Sequence, residues 1–536
     1  MKKLTGALAL GLAFQMAMAG GGKITFKWGN EYKLPKKHLD AGFIGNSTDG
    51  YTQIGHAYGK DLSLQHFDPK LNLVSTKMNS LKSMPKGYMS ESWLTTTDNR
   101  TFWLYTTWDK KSVTERLFCQ EINLKTSEFK GDSRELITVN GKVTGVLVMT
   151  GFYKFNTADK YNVVTSFDGK RVLIYYRRRP EEKRDKLNKD KIGYSVYDEN
   201  MKQLYAYETE MPYTEEMMDN VDYQVDGKGN IYLLARVYDK AAEGHKAREY
   251  HFEILKWTQD QKKASVIPVS VSQKYIREVN LLEDKKGELI VAGYYANSLR
   301  SSGVDGVFMQ KLNPEGTAMG NIFKSYYEFP AEVLKEFESD RTKKKMDKKE
   351  NKDDLVEDNL RLRNVTVRDD GSIELWGEQY YVVTYVVMTN SGTQTRRIYH
   401  YDDVIGCRIN ADGELAYVRK VPKNQEGNNN FIGLGIKEYN YGDDSYVLFL
   451  DNMKNVDIKP SQAPAKHMAG LGGVLMAVKV DSKGVMTKQK VFDVREEKMQ
   501  LQPTNFDDVG NNQIIARGTK GVLGGGPSKP ALITFE

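Results

Sequence analysis

Cysteine and histidine are scarce in this chain: its 536 residues include two cysteines and seven histidines. An exported chain could form a disulfide, but Cys119 and Cys407 lie in well-separated repeat units, each in a strand that precedes a polar turn. We therefore predict two unpaired, buried thiols that serve as small core residues. His245 and His251 are six residues apart and have no third ligand nearby, whereas a zinc site needs three or four. We expect no metal site and no cofactor.

The motifs of several enzyme classes are absent as well. The chain contains neither a Gly-x-Ser-x-Gly nucleophile motif nor a glycine-rich phosphate loop followed by Lys and Ser or Thr. The stretches 222–230 and 369–371 are rich in oxygen ligands, but Asp-Gly is ordinary turn chemistry and lysine interrupts the calcium pattern. Motifs therefore predict no catalytic residue. Paired carboxylates for glycoside cleavage stay open, because such a pair meets in space and sequence spacing does not show it.

Beyond the N-terminus the chain contains no long apolar run. No segment in that part reaches the roughly 18 apolar residues that a membrane helix needs. The N-terminus itself reads Met1-Lys-Lys, an apolar run from Leu4 to Ala19, and the small-x-small site Ala17-Met-Ala19. This layout predicts a signal peptide over residues 1–19. A membrane anchor is the competing interpretation, but the run is short and holds Gln15. We expect an exported protein that is periplasmic, outer-membrane-associated or extracellular.

A large excess of one charge is also missing. The formal net charge is +7, and Lys2 and Lys3 of the predicted signal peptide supply two of these charges. A nucleic-acid partner calls for basic residues concentrated in a stripe. We therefore expect no nucleic-acid partner.

What the chain does contain is a pair of recurring phrases. The opening phrase is a turn followed by an apolar strand, as in Asp168-Gly-Lys-Arg-Val-Leu-Ile-Tyr, and its copies begin near residues 49, 98, 168, 226, 284, 369, 443 and 510. The closing phrase ends a strand in a polar turn, as in Tyr197-Asp-Glu-Asn-Met, and follows seven of the eight openings. Self-similarity at a long period is typical of a repeat architecture.

The residues between the turns predict an all-β fold. Short runs rich in Val, Ile, Tyr, Phe and Trp are typical of strands, and runs that are apolar on both faces indicate strands packed between layers. A ring of four-stranded sheets explains the period, because each sheet buries both faces only against its neighbours. The last opening lacks a closing phrase, so we predict that residues 23–28 complete the last sheet. An outer-membrane barrel would need strands of about ten alternating residues, which these short runs do not provide.

The repeated Asp-Gly or Asn-Gly turn and apolar strand, behind a signal peptide, resemble the secreted β-propeller proteins of bacteria. The resemblance covers about residues 43–536 and implies a single domain over residues 20–536, with seven or eight four-stranded blades. The units do not match the strict patterns of the WD40, kelch or quinoprotein families. The resemblance therefore implies the fold and assigns no functional residue.

Two segments depart from the repeat. Residues 177–191 carry eight basic and four acidic side chains and predict an exposed hairpin loop. Residues 331–363 follow Pro330, carry ten basic and ten acidic side chains, and predict a charged helical insert. Both are interpreted as solvated inserts or as docking elements.

These features favour a non-catalytic binding or scaffold protein that holds an envelope protein or a glycan with its rim loops. The alternative is a carbohydrate-active enzyme, a hydrolase or lyase, with carboxylates in the central channel. Tyrosine suits both exposed contact surfaces and half-buried strands. The candidate partner-binding residues are Arg177, Arg178, Arg179, Tyr380, Tyr381 and Tyr385.

Overall fold

Eight antiparallel sheets of four or more strands follow one another along the chain, and the fold is a β-propeller. The computed structural model describes residues 23–56, 62–79, 88–151, 154–180, 187–243, 247–269, 274–313, 315, 325–352, 355–389, 392–428, 433–470, 472–520 and 526–536. The predicted signal peptide, residues 1–19, lies outside the described residues. We number the sheets as blades 1 to 8 and their strands from first to fourth.

The strands of blades 1 to 4 succeed one another in chain order within each blade. Blade 1 contains Leu39–Asn46, Gly50–His56, Leu62–Phe67 and Leu73–Asn79. Blade 2 contains Met89–Thr95, Thr101–Asp109, Thr114–Asn123 and Glu128–Asn140. Blade 3 contains Asn162–Thr165, Arg171–Arg177, Lys189–Asp198 and Gln203–Thr214. Blade 4 contains Met218–Val225, Ile231–Tyr238, Tyr250–Thr258 and Gln261–Val269.

Blades 5 to 7 repeat this order, and blade 8 adds a strand from the N-terminus. Blade 5 contains Tyr275–Glu283, Leu289–Ala296, Gly306–Leu312 and Tyr326–Glu328. Blade 6 contains Leu360–Val367, Ile373–Thr389, Gly392–Ile409 and Leu415–Val421. Blade 7 contains Lys437–Tyr441, Asp444–Asp451, Val474–Val480 and Met486–Asp493. Blade 8 contains Met499–Gln500, Asp507–Asp508, Gln513–Lys520, Ser528–Phe535 and the N-terminal strand Ile24–Trp28.

Short elements connect or extend the blades. Two two-residue strands, Gly303–Val304 and Glu357–Asp358, pair with each other. A separate pair consists of the strands Val146–Gly151 and Lys154–Ala158. The strands Gln425–Gly427 and His467–Met468 extend the sheet of blade 6. The helices are Ala331–Leu334 and Asp340–Glu350, with 3₁₀ turns at Met453–Asn455 and Pro503–Asn505. No helix among the described residues is long and apolar enough to cross a membrane.

In blades 1 to 7 the opening phrase forms the turn between the first and second strands. In blade 8 it forms the turn between Asp507–Asp508 and Gln513–Lys520. The turn at Asp226 shows why the phrase recurs: its carboxylate accepts hydrogen bonds from the backbone N–H groups of Lys228 and Asn230, at 3.0 and 2.8 Å. Gly229 completes this turn at φ +90°, a conformation that glycine adopts without a steric penalty. The stretch around Asp226 and Gly227 therefore forms the predicted turn, and the carboxylate of Asp226 binds backbone N–H groups.

The hydrophobic core is divided among the gaps between blades. Alternate residues of one strand face different neighbours: Val172 and Ile174 of blade 3 pack against blade 2, and Leu173 packs against blade 4. Clusters of this kind fill every gap from blades 1 and 2 to blades 7 and 8. An eighth cluster joins blade 8 to blade 1 through residues such as Ile515 and Phe43. The apolar contacts therefore form a closed ring, which is why the second and third strands are apolar on both faces.

The N-terminal strand is the outer strand of blade 8. It pairs antiparallel with Ser528–Phe535, in the register Ile24↔Phe535 to Trp28↔Ala531. Phe26 stacks on Phe492 of blade 7 with ring centroids 4.6 Å apart. Residues 24–28 and 531–535 thus lie in one sheet.

Two boundaries differ from those predicted from the sequence. The charged insert predicted over residues 331–363 stops earlier, because residues 360–367 form the first strand of blade 6. The loop predicted over residues 177–191 is shorter, since its flanking strands extend to Arg177 and begin again at Lys189. The thiols of Cys119 and Cys407 are free and buried in the third strands of blades 2 and 6.

Candidate functional site

The connections between strands lie on two opposite faces of the ring. Because the first to fourth strands of blades 1 to 7 pair antiparallel in order, the turns from first to second strand and from third to fourth strand share one face. The connections from second to third strand and from blade to blade share the other face, which we call the insert face. Both helices and the loop of blade 3 lie on the insert face. Variation between blades is therefore concentrated on one side of the ring.

A prominent feature of the insert face is a β-hairpin in blade 6. Its two strands pair from the blade out to Thr389↔Gly392, with one register shift between Glu378 and Tyr380. The first strand of the blade ends its pairing earlier, at Leu360↔Gln379. The fourth strand ends its pairing at Val404↔Val421. Residues 380–401 therefore extend beyond the four-stranded blade, and we call them the blade-6 arm.

The outer part of this arm carries exposed apolar side chains. Val382, Val383, Tyr385 and Val386 are 39, 43, 37 and 63% exposed, and Met388 is 90% exposed. Residues 380–401 include no aspartate or glutamate, whereas Arg396 and Arg397 are basic. Several exposed apolar side chains close together on an edge strand are typical of an interaction surface.

The root of the arm is made rigid by aromatic contacts. Tyr380 packs on Tyr401 with ring centroids 4.9 Å apart, and Tyr381 stacks on His400 at 4.5 Å. The Tyr381 hydroxyl donates to Oδ2 of Asp402 at 2.9 Å. The structure thus places two of the three predicted tyrosines, Tyr380 and Tyr381, half-buried at the root. Tyr385 lies on the exposed stretch.

Two buried lysines fasten the root to the blade. The Lys423 ammonium, with no exposed side-chain surface, lies 2.8 Å from Oε1 of Glu378 and donates to the carbonyl of Tyr401 at 2.6 Å. The second carboxylate oxygen of Glu378 binds the Arg363 guanidinium at 2.7 Å.

The second lysine, Lys420, pairs with Asp403 at 2.9 Å and with Glu338, beyond the first helix of the insert, at 2.8 Å. Lys420 also donates to the carbonyl of Leu334 in that helix. The charged insert is therefore anchored to blade 6, and its first helix buries Val333 and Leu334 in the gap between blades 5 and 6.

The predicted arginines lie on blade 3, three blades from the arm. Arg177 pairs with Asp190 at 2.7 Å and with Glu215 at 3.0 Å, and Arg178 lies 3.6 Å from Glu208. Arg178 and Arg179 line a cavity of about 190 Å³ together with Lys189 and Lys191. The arginines and the tyrosines thus share the insert face but do not form one site.

Carboxylates on the inner wall of the ring mostly hold neighbouring blades together. First strands of neighbouring blades contact one another from blade 2 to blade 6 and between blades 8 and 1. Four carboxylates each accept a hydrogen bond from a backbone N–H of the next blade or its lead-in: Glu91 from Lys160 at 2.7 Å, Asp222 from Leu281 at 2.8 Å, Glu278 from Leu362 at 2.6 Å, and Asp507 from Phe43 at 2.8 Å. Burial raises the pKa of Asp507 to about 6 and that of Glu91 to about 7. These groups have a structural role, and sequence inspection missed them because their partners are 59 to 464 residues away.

Comparisons with known proteins assign this chain to no family. No family model and no curated protein matches the chain. The polysaccharide lyase Uly1 aligns over 95% of this chain and 99% of its own at 11% identity, with a TM-score of 0.36. The Dos1 propeller aligns over 64% and 66% at 8% identity, TM-score 0.31, and prolyl oligopeptidase B from Galerina marginata over 92% and 55% at 6% identity, TM-score 0.37. Similarities this distant carry no argument about activity.

The arm root should respond to pH through Glu357. Burial raises the pKa of this carboxyl, which accepts a hydrogen bond from Gln379, to about 8. The pKa of Glu357 in the folded chain lies above its value in the unfolded chain, about 4.3. The contribution of this carboxyl to stability is therefore complete below a pH of about 4.3 and is lost as pH rises through about 8. We expect Glu357→Gln to raise the melting temperature relative to the parent at pH 8.5 but not at pH 5, by about 2–4 °C.

Differential scanning calorimetry at both pH values measures this difference. Glu497→Gln is the matched control, because the Glu497 side chain is 41% exposed. Parallel pH profiles for the parent and Glu357→Gln would show that Glu357 does not titrate in this range.

Proposed function

We propose that this chain is an exported binding protein that holds a protein partner on its insert face, with the blade-6 arm as the docking element. The observation that carries the proposal is a set of exposed apolar side chains on a strand with no partner along this part of its outer edge in the described chain: Val382, Val383, Tyr385, Val386 and Met388. A folded protein leaves such an edge open at the risk of aggregation unless something else covers it.

The chemistry of the arm indicates how a partner binds. The N–H of Tyr380 still donates to the carbonyl of Asn359 at 3.0 Å, and beyond it the outer edge of the strand has no partner strand in the described chain. An extended segment of another protein adds to this edge as a further strand. Arg396 and Arg397 lie opposite Tyr385 and Thr384 on the adjacent strand. The matching segment therefore has apolar side chains next to Val382–Met388 and acidic side chains near the arginines.

The rigid root supports this role. A binding element that is already ordered loses less conformational entropy on association. The stacked rings at Tyr381 and His400 and the buried Lys423–Glu378 pair hold the arm at one angle to the blade. The arm is thus prepared to receive a strand.

The alternative from the sequence, a carbohydrate-active enzyme with channel carboxylates, receives less support. Glu91, Asp222 and Glu278 each have both carboxylate oxygens engaged by protein donors, which disfavours a role in acid–base or nucleophilic chemistry. We therefore place the primary activity on the insert face.

A shortened arm tests the proposal. Val382 and Tyr399 are cross-strand partners, so an Asn-Gly turn can replace residues 383–398 without changing the blade. We expect at least a tenfold loss of the partner captured from native envelopes by crosslinking. In the complex with the parent protein, residues 380–389 should gain protection from hydrogen exchange.

The matched control is the double variant Arg178→Ala/Arg179→Ala, which alters the same face on blade 3. It should capture the same partner as the parent. Equal recovery by the shortened variant, or a partner that protects blade 3 and not residues 380–389, would refute docking by the arm.

A further inference from the structure

The second helix of the charged insert carries a basic surface on the insert face of the ring. This helix, Asp340–Glu350, holds six basic and three acidic side chains, and none of its residues is buried. Side chains three and four positions apart lie on the same side of a helix. Five exposed basic residues with this spacing form a surface that we call the basic helix face: Arg341, Lys344, Lys345, Lys348 and Lys349.

The opposite side of this helix fastens it to the propeller. Met346 packs against the hydrophobic cluster between blades 5 and 6. The carboxylates of Asp347 and Glu350 both pair with the ammonium of Lys335, which directly follows the first helix of the insert, and the contact with Asp347 measures 2.6 Å. Because these contacts lie on the side of the helix that faces the blades, the basic helix face points away from them.

Acidic residues do not neutralise the basic helix face. Within the described part of the chain, only Lys349 of the five forms an ion pair, with Asp358 at 3.6 Å, and these side chains are 51% and 43% exposed. The pairs Arg341 with Lys345 and Lys344 with Lys348 place like charges four residues apart, which destabilises a helix. A helix that is merely solvated usually alternates its charges along a face. The separation of charge in this helix therefore indicates an anionic partner.

The composition of the basic helix face favours a broad anionic surface over a single bound anion. Four of its five cations are lysines, whose ammonium groups are strongly hydrated point charges, whereas bidentate recognition of one phosphate favours arginine. The helix holds no aromatic side chain that could stack on the bases of a single-stranded nucleic acid. The basic helix face also holds no apolar side chain that could insert between acyl chains. Its contact with a partner is therefore electrostatic.

A bilayer with anionic headgroups matches these properties. A cluster of about four to eight basic residues on a helix is typical of segments that bind anionic lipids. From Arg341 to Lys349 the basic helix face extends about 12 Å along the helix axis, so its cations meet several headgroups at once. Each cation near an anionic bilayer increases partitioning to the surface about fivefold.

We propose that the basic helix face docks the propeller on the surface of a membrane that contains anionic lipids, without insertion into the acyl chains. This surface is separate from the blade-6 arm and does not depend on the protein partner proposed there.

Co-sedimentation with lipid vesicles tests the proposal on the chain from residue 20 onward, which includes every described residue and omits the apolar run Leu4–Ala19. The parent should bind vesicles of phosphatidylglycerol and phosphatidylcholine but not vesicles of phosphatidylcholine alone. Raising the salt concentration from about 0.1 M to about 0.5 M should release it, because salt screens exposed charges. The triple variant Lys344→Gln/Lys345→Gln/Lys348→Gln should bind roughly tenfold more weakly or less. It should still fold, since glutamine and lysine have similar helix propensities.

Two control variants separate the position of the charges from their number. Lys170→Gln/Lys228→Gln/Lys286→Gln removes the same charge from exposed turns between first and second strands, on the face opposite the insert face. It should bind anionic vesicles like the parent. The corresponding triple arginine variant of the basic helix face keeps the charge and should also bind like the parent.

Three results would overturn the proposal. Equal binding of the parent to neutral vesicles would place the contact on apolar side chains. Equal binding of the parent and the triple glutamine variant to anionic vesicles would place the contact elsewhere on the chain. Binding of the parent to DNA or to heparin, with no binding to anionic vesicles, would assign the basic helix face to a different polyanion.

Discussion

An internal deletion of residues 23–28 should unfold the ring or lower its melting temperature by at least 5 °C. The deletion removes Ile24, Phe26 and Trp28, which pack into the gap between blades 7 and 8, and each such side chain contributes about 1.5–3 kcal/mol when buried. The sum approaches the whole stability of an ordinary domain, about 5–15 kcal/mol. The deletion also exposes the edge of strand Ser528–Phe535, which favours aggregation.

Circular dichroism and light scattering during heating measure this effect. Thr25→Ala, in the same strand but outside the apolar cluster, is the control and should change the melting temperature by less than about 1 °C. A synthetic peptide of residues 21–33 added in trans should restore part of the lost stability, because the ladder with residues 531–535 reforms. Unchanged melting of the deletion variant would show that the ring does not depend on this strand.

The blade structure could be predicted from sequence because its signals are local. An Asp or Asn near a glycine forms the turn through hydrogen bonds within five residues, as Asp226 does with Lys228 and Asn230. The strand that follows is recognised by its apolar and aromatic residues. Seven of the eight turns predicted in this way lie between the first and second strands of a blade, and the eighth joins Asp507–Asp508 to Gln513–Lys520 in blade 8.

The candidate sites could not be predicted to the same extent, because they depend on what each residue meets across the ring. The stretch 380–389 has the composition of an ordinary blade strand; its exposure follows from neighbouring strands that stop at Leu360 and Val421. Arg177 shows the opposite case. It belongs to a basic run that suggested a docking surface, but its guanidinium pairs with Asp190 and Glu215.

Replacing Lys423 with methionine should lower the melting temperature by about 3–5 °C if the ring unfolds as one unit. The ammonium has no exposed surface and contacts Glu378, Tyr401 and Gln425 at 2.8, 2.6 and 3.1 Å. Removing one member of a buried ion pair costs about 3–5 kcal/mol, because the remaining charge keeps its desolvation penalty. In the variant, Arg363 still binds Glu378. The loss of unfolding free energy should therefore lie near the lower end of the range of about 3–5 kcal/mol.

Two comparisons separate this effect from simple loss of a charge. Lys77→Met breaks an exposed pair with Glu128, whose side chains are 47% and 52% exposed, and should cost at most about 1 kcal/mol. The double variant Lys423→Met/Glu378→Gln should regain part of the loss, because a buried amide costs less than an uncompensated carboxylate. Faster hydrogen exchange in residues 380–401 of Lys423→Met would then place the damage at the arm root. If Lys423→Met and Lys77→Met melt alike, the buried pair does not stabilise the arm, and its rigidity must come from the stacked tyrosines alone.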